Sequence, residues 1–388
     1  MFDDSDGRYH RQTLITWWDQ DLLADARVLV VGAGALGNEI VKCLALVGVG
    51  QIDVVDMDLI EDSNLSRCVF FRTEDIGFPK AEIVARRAME LNPDCKVKGI
   101  VGDVRLTVGL GAFYNADVVI GGLDSREARL FVNRACWKTS TPWVDGAIEG
   151  LMGVARVFVP PDGPCYECTL SEQDHALMAE RKSCAGLTRE EMLGGKVPTT
   201  ATSASIIGGI EVQEAIKLIH AERHEGETLA GSGFHYVGVN HDSYVVTYER
   251  DEACMSHDTY DLASADSVSA DRTFGEMLHA ARARLGDGAV LDLEHEVAVA
   301  AECGACGNRE ELMKPVDALG SGFALCSKCP NQWAIEVVST IGGDSPLLAL
   351  TPGDIGLPTC DVVTGRQGIE ERCFFLYDSP KKSSVTSP

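Results

Sequence analysis

The chain is short of positive charge. Its 388 residues carry 59 Asp and Glu against 34 Lys and Arg, a formal net charge of -25. A field of that sign repels phosphate backbones and anionic lipid, which argues against nucleic-acid binding and against a membrane-surface role. No apolar run approaches the roughly twenty residues that a membrane span needs. The opening, MFDDSDGRYHRQ, lacks the apolar stretch of a secretory signal, so a cytoplasmic location is expected. No internal repeat is visible. Disorder is excluded too: hydrophobic residues make up 45% of the chain, and its length allows two domains, each with a core.

Cysteine, by contrast, is plentiful, at 14 residues. In a cytosolic chain such residues are buried, catalytic or metal-bound more often than disulfide-bonded. Cys165 and Cys168 form a CxxC, as do Cys303 with Cys306 and Cys326 with Cys329; Cys254 and His257 form a CxxH. The last two CxxC pairs are separated by nineteen residues, the spacing of a zinc ribbon. Four paired thiolates favour a structural Zn2+ over a redox role.

Residues 1–257 read as an α/β domain. RVLVVGAG (27–34), QIDVVDMD (51–58), KVKGIVGDV (96–104) and ADVVIGGLD (116–124) have the β-branched, glycine-flanked look of buried strands. Helical spacing alternates with them in NEIVKCLALVGV (38–49) and KAEIVARRAMELNP (80–93), which predicts a Rossmann-like, mostly parallel sheet. Segments 151–170 and 234–249 read as antiparallel strands, and 203–220 as an amphipathic helix. Between them, 171–198 is a polar crossover loop, and long loops in compact domains usually carry function. A linker is expected at 258–271, a smaller α+β domain holding the ribbon at 272–378, and a disordered tail at 379–388.

Gly32, Gly34 and Gly37 form GxGxxG between a strand and a helix, where free amides and the helix dipole favour phosphate. Asp56 ends the next strand, placed for ribose hydroxyls. Taken alone, this fits an NAD enzyme. Other polar residues point elsewhere: Arg11 in RYHRQ, Asp58, Asn64, Arg67, Lys80 in GFPK and Asp124 in GLDSREAR. A triphosphate needs such cations to offset its charge, and a carboxylate to hold Mg2+.

In these motifs the chain resembles the ubiquitin-activating-enzyme superfamily, ThiF and MoeB included. The likeness runs from RYHRQ through VLVVGAGALGNEIVKCLALVGVGQIDVVDMDLIEDSNLSR, GFPKAE, GLDSREARLFVN and GPCYECTL to VPTTATSASIIGGIEVQEAIK. It covers residues 8 to about 257. It implies adenylation of a partner protein's C-terminal carboxylate by ATP, with Gly32, Gly34 and Gly37 under the nucleotide and Asp56 on its ribose. It implies Asn64, Arg67 and Lys80 on the triphosphate, Asp58 nearby and Asp124 on Mg2+. Arg11 resembles the arginine given to a neighbouring subunit's ATP, which implies a homodimer. Cys68 and Ser125 stand where the family often has Gln and Asn.

Cys184, in ERKSCAGL ahead of VPTT, stands where thioester-forming relatives carry their cysteine and where sulfur-transferring relatives carry one as well. Arg181 and Lys182 beside it would favour its thiolate. Thr199 to Thr202 either support this site or cap a helix. Cys165 and Cys168 occupy the first half of the superfamily's structural zinc site, which Cys254 and His257 would complete; the competing assignment pairs them with a later CxxC. By analogy with thioester-forming relatives, the C-terminal domain is expected to be ubiquitin-fold-like and to recruit a conjugating enzyme. The size suits the stand-alone enzymes of bacterial ubiquitin-like conjugation systems, some of them linked to antiviral defence. The alternative is a sulfur-carrier adenylyltransferase with no thioester step.

Overall fold

The computed structural model describes residues 7–171, 173–174, 198–223, 226–319, 323, 325–368 and 371–377. Cys184 and most of the expected crossover loop lie outside them. The described residues divide into two units, one built from 7–104, 116–174 and 198–259, the other from 105–115 and 260–377.

The first unit is built on an eight-stranded sheet. Its elements are α1 (Gln20–Asp25), β1 (Arg27–Val31), α2 (Ala35–Val47), β2 (Gln51–Asp56), α3 (Lys80–Leu91) and β3 (Lys96–Val101). After α4 (Val104–Thr107) and α5 (Leu110–Asn115) come β4 (Val118–Gly121), α6 (Arg126–Lys138), β5 (Trp143–Glu149) and β6 (Met152–Phe158). The unit ends with α7 (Ala201–His220), β7 (Ser232–Val237) and β8 (Asp242–Thr247). The strand order is β3-β2-β1-β4-β5-β6-β7-β8. The first five strands are parallel and the last three antiparallel, as the sequence predicts.

Alternation along the strands divides the core. Val28 and Val30, Ile52 and Val54, and Val118 and Ile120 pack with the apolar faces of α2, α3 and α7. The alternate positions face the other way, where Trp143 and Phe158 pack with ring centroids 5.4 Å apart and planes tilted by 32°. Thr200 caps α7, its side chain accepting a hydrogen bond from the Ser203 amide, so of the two roles open to the threonines this one performs capping.

The second unit pairs α8 (Phe274–Leu285) with a sheet of β9 (Asp266–Val268), β10 (Val290–Glu302), β11 (Arg309–Pro315), β13 (Val362–Gln367) and β14 (Glu371–Tyr377), while β12 (Ala334–Ile341) also pairs with β10. A capping box between Thr273 and Glu276 starts α8. Phe274, Met277, Leu278 and Ala281 on α8 join Leu291, Val363 and Phe375 of the sheet in one core. β9 pairs parallel with β14, and it falls inside 258–271, the stretch read as a linker. No helix among the described residues is long and apolar enough to cross a membrane.

Candidate active site and metal centres

The glycines after β1 differ in what they are for. Gly32 has φ +102°, and a Cβ there would lie 2.5 Å from the Gly122 carbonyl; at Gly37 it would lie 1.9 Å from the Gly32 carbonyl. These two positions are glycine because the backbone packs against itself. Gly34 has ordinary negative φ and no protein atom within 4 Å of a Cβ position. Its bare face opens at the N-terminus of α2, where free amides and the helix dipole favour a phosphate.

Asp56 braces this loop. Its Oδ2 accepts from the Ala33 amide at 2.7 Å and its Oδ1 from the Asp58 amide at 2.8 Å. Burial raises its pKa, opposed chiefly by Lys80. Lys80 opens α3 and donates to Asp58 Oδ2 at 2.9 Å. Burial disfavours its charge, but Asp56 and Asp58 outweigh burial and raise its pKa, so a cation stands ready beside the glycine loop. Asn64 is buried, and its Oδ1 accepts from the Glu61 amide in a capping box. Arg67 donates to the Ser63 carbonyl at 2.5 Å and is half-buried. Cys68 is buried, and desolvation pushes its thiol up to about 11. Burial therefore disfavours its thiolate.

Asp124 is exposed in the turn between β4 and α6. That turn meets the glycine loop: Gly122 donates to the Val31 carbonyl at 2.9 Å. Arg11 is exposed on the N-terminal segment, which Tyr9 seats. The Tyr9 hydroxyl accepts from Asn92 Nδ2 at 2.8 Å, and its ring lies under Gly48. The structure thus joins Gly32, Gly34, Gly37, Asp56, Asp58, Lys80 and the Asp124 turn. Asn64 and Arg67 are tied to their own segment, and Arg11 stands apart from these bonds.

Sequence reasoning passed over a buried charged group next to this turn. Asp145 at β5 is fully buried and takes Arg129 Nε at 2.8 Å and Arg156 Nη2 at 2.5 Å. Arg129 Nη2 also donates to the carbonyls of Leu123 and of Gly146, the latter at 3.0 Å. Glu211 of α7 is fully buried against Gly146, and both its carboxyl oxygens lack a hydrogen-bond partner. Burial drives its pKa far up, with Asp145 adding to the effect. The signal was present: a glutamate amid the apolar residues of IIGGIEV has no solvent-facing explanation.

Two sets of ligand atoms converge, each within 4.8 Å. In the first unit, Cys165 Sγ lies 3.7 Å from Cys168 Sγ and 3.6 Å from Cys254 Sγ, and Cys168 Sγ lies 3.4 Å from His257 Nε2. Tetrahedral Zn2+ with its usual bond lengths spaces sulfurs about 3.8 Å apart, so the donors fit. The first unit therefore gathers Cys165 and Cys168 with Cys254 and His257, not with a later CxxC. In the second unit, Cys303 and Cys329 lie 3.5 Å apart, and Cys306 and Cys326 3.7 Å apart. The two knuckles match: the Cys303 amide donates to the Asn308 carbonyl and the Cys326 amide to the Asn331 carbonyl, both at 2.8 Å. Each set could hold one zinc ion with every position filled by protein.

Comparison with known proteins agrees with this geometry. The family model described as the ThiF family matches residues 9–255. The SAMP-activating enzyme E1 of Haloferax volcanii is 34% identical over 61% of this chain and 81% of its own length. The sulfur carrier protein adenylyltransferase of Thermus thermophilus is 34% identical over 64% of this chain and 89% of its own. Among solved structures, that of Escherichia coli MccB with ATP superposes with a TM-score of 0.53 at 23% identity, over 65% of this chain and 74% of MccB, a likeness of fold. The chain belongs to the ThiF family.

Proposed function

We propose that this protein uses ATP to adenylate the C-terminal carboxylate of a ubiquitin-like protein, accepts the acyl group on Cys184 and passes it to a conjugating enzyme. The observation that carries the reading is the open face at Gly34, flanked by the braced Asp56 and by Lys80. Gly32, Gly34 and Gly37 receive the nucleotide, and Asp56 takes the ribose through lone pairs its backbone bonds leave over. Lys80, Asn64 and Arg67 turn to the triphosphate, joined by Arg11 of a second copy. Asp124 holds Mg2+, which supplies charge neutralisation at the phosphates when bound.

The chemistry balances without a general base. A carboxylate oxygen bonds to the α-phosphorus as the bond to pyrophosphate breaks. The Cys184 thiolate then bonds to the acyl carbon, and AMP leaves with the carbon–oxygen electron pair. The two cysteine sets are structural, each holding zinc.

The relatives divide between a SAMP-activating enzyme and a sulfur carrier protein adenylyltransferase. Residues beyond 260, outside the family match, favour the first, with a recruiting role for the second unit. Intact-mass spectrometry after incubation with ATP, Mg2+ and a candidate ubiquitin-like protein tests the reading. A thiol-sensitive adduct in the wild type and none in Cys184→Ala is expected. Pyrophosphate release that survives Cys184→Ala, with no adduct in either protein, would move the reading to the sulfur-carrier type.

A further inference from the structure

The Asp124 turn has little to fix it on its own sequence. Gly122 is tied to β1, and Ser125 caps α6 by accepting from the Ala128 amide at 3.3 Å. Between them, Leu123 and Asp124 would be free to shift. Leu123 is held from below. The Arg129 guanidinium, buried on the first turn of α6, takes the Leu123 carbonyl and the Gly146 carbonyl with one nitrogen, while its Nε engages Asp145. The fork thus joins the turn leaving β4 to the middle of its parallel neighbour β5, whose register sets Gly121 opposite Asp145.

We propose that Arg129 is a positioning residue: its guanidinium, oriented by Asp145, clamps the turn after β4 to the middle of β5 and so fixes where Asp124 presents its carboxylate. The inference rests on the proposed function, in which Asp124 holds Mg2+ on ATP. Three features support it. A planar fork with fixed donor directions locates three acceptors at once, which an ammonium cannot do. Asp145 is anchored from its other side by Arg156, so the clamp cannot swing. Glu211 packs against Gly146, and neither of its carboxyl oxygens makes a hydrogen bond, so the guanidinium keeps its three acceptors. Placement of such a group matters steeply, since a misplacement of about 1 Å can cost about a hundredfold in rate.

The test separates metal placement from general damage. ATP affinity of the full-length protein is measured by titration in EDTA and again in excess Mg2+, for the wild type, Arg129→Lys and Asp124→Asn. The wild type gains affinity with Mg2+. Arg129→Lys is expected to match the wild type within about twofold in EDTA but to lose about tenfold or more of the Mg2+-dependent gain, as Asp124→Asn does. An undiminished gain in Arg129→Lys would overturn the proposal, and so would an equal loss with and without the metal, which marks a merely structural role. Should Arg129→Lys fail to fold by circular dichroism, Asp145→Asn, which keeps both carbonyl acceptors, carries the same expectation at a smaller factor, and an undiminished gain there overturns the proposal. A wild type that binds no ATP, or gains nothing from Mg2+, would instead overturn the proposed function, and this inference with it.

Discussion

The two cysteine sets reach the same donor geometry by different routes. In the second unit each half is a tight knuckle, and the paired sulfurs of Cys303 and Cys329 are 26 residues apart. In the first unit Cys165 and Cys254 are 89 residues apart, with α7 and two strands between them. Loop-closure entropy makes the longer link the more stabilising by about 1 kcal/mol. The longer link also has more to hold: Arg134 of α6 binds Ser256 at 3.2 Å and Glu167 at 3.2 Å, and Trp137 lies 5.2 Å from the His257 ring. The ribbon closes a local hairpin, whereas the first set fastens the last residues of its unit to α6.

The difference leads to an ordered set of expectations. Cys254→Ser should have the largest effect. Structural zinc sites carry about 10 kcal/mol or more of apparent binding energy, so calorimetry should show the first unit melting at much lower temperature, with ATP binding impaired. Cys326→Ser should come second: zinc stoichiometry should fall by one per chain, while ATP affinity stays at the wild-type value. Equal damage to nucleotide binding from both substitutions would break the contrast.

The units also differ in how they treat a buried titrating group, and there the effects should be smaller. In the second unit, His295 Nε2 faces Asp361 Oδ2 at 3.6 Å, and Asp361 Oδ1 takes the Leu110 amide at 2.7 Å. Burial opposes the imidazolium, but Asp361 outweighs burial, helped by Glu294 and Asp317, and raises the pKa above 6.5. A raised histidine adds stability that is full below the unfolded value and is lost as pH rises through the folded one. His295→Gln should remove that fall from the melting temperature of the second unit between about pH 6 and 8. In the first unit, Glu211 is buried with no hydrogen-bond partner for its carboxyl oxygens, and burial raises its pKa. Its folded form holds a proton that the unfolded chain releases, so stability falls as pH climbs above the ordinary glutamate range. Glu211→Gln should change stability by less than about 1 kcal/mol near pH 5, and should flatten that slope. A large loss at pH 5 would mean that the carboxylate is ionised and paired with the arginines.

What the sequence displayed depended on distance along the chain. The glycine loop, Asp56 and Lys80 were legible because each sits at a strand end or helix start that local pattern marks. The ribbon was legible because its spacing is a complete signature. β9 was not: Asp266, Ser267 and Val268 become a strand only because β14, over a hundred residues later, offers an edge. Segment 105–115 looked like part of the nucleotide-binding domain, yet it belongs with the second unit, where the Gly111 amide donates to the Cys360 carbonyl at 2.8 Å. The Arg129 clamp was illegible for the same reason. Asp145 and Glu211 show their purpose only once β5 and α7 are brought together.

β10 has a mechanical consequence. Its 13 residues make a strand about 40 Å long. One half is paired with β13, in the sheet that packs on α8, and the other with β11, at whose turn the first zinc knuckle forms, while β12 runs beside both. The knuckles therefore sit at the end of a long strand rooted in the hydrophobic core. A load applied at the ribbon would meet the register shifts at Asp292–Val297 and Ala298–Ala300, where the strand can bend, before it reached α8.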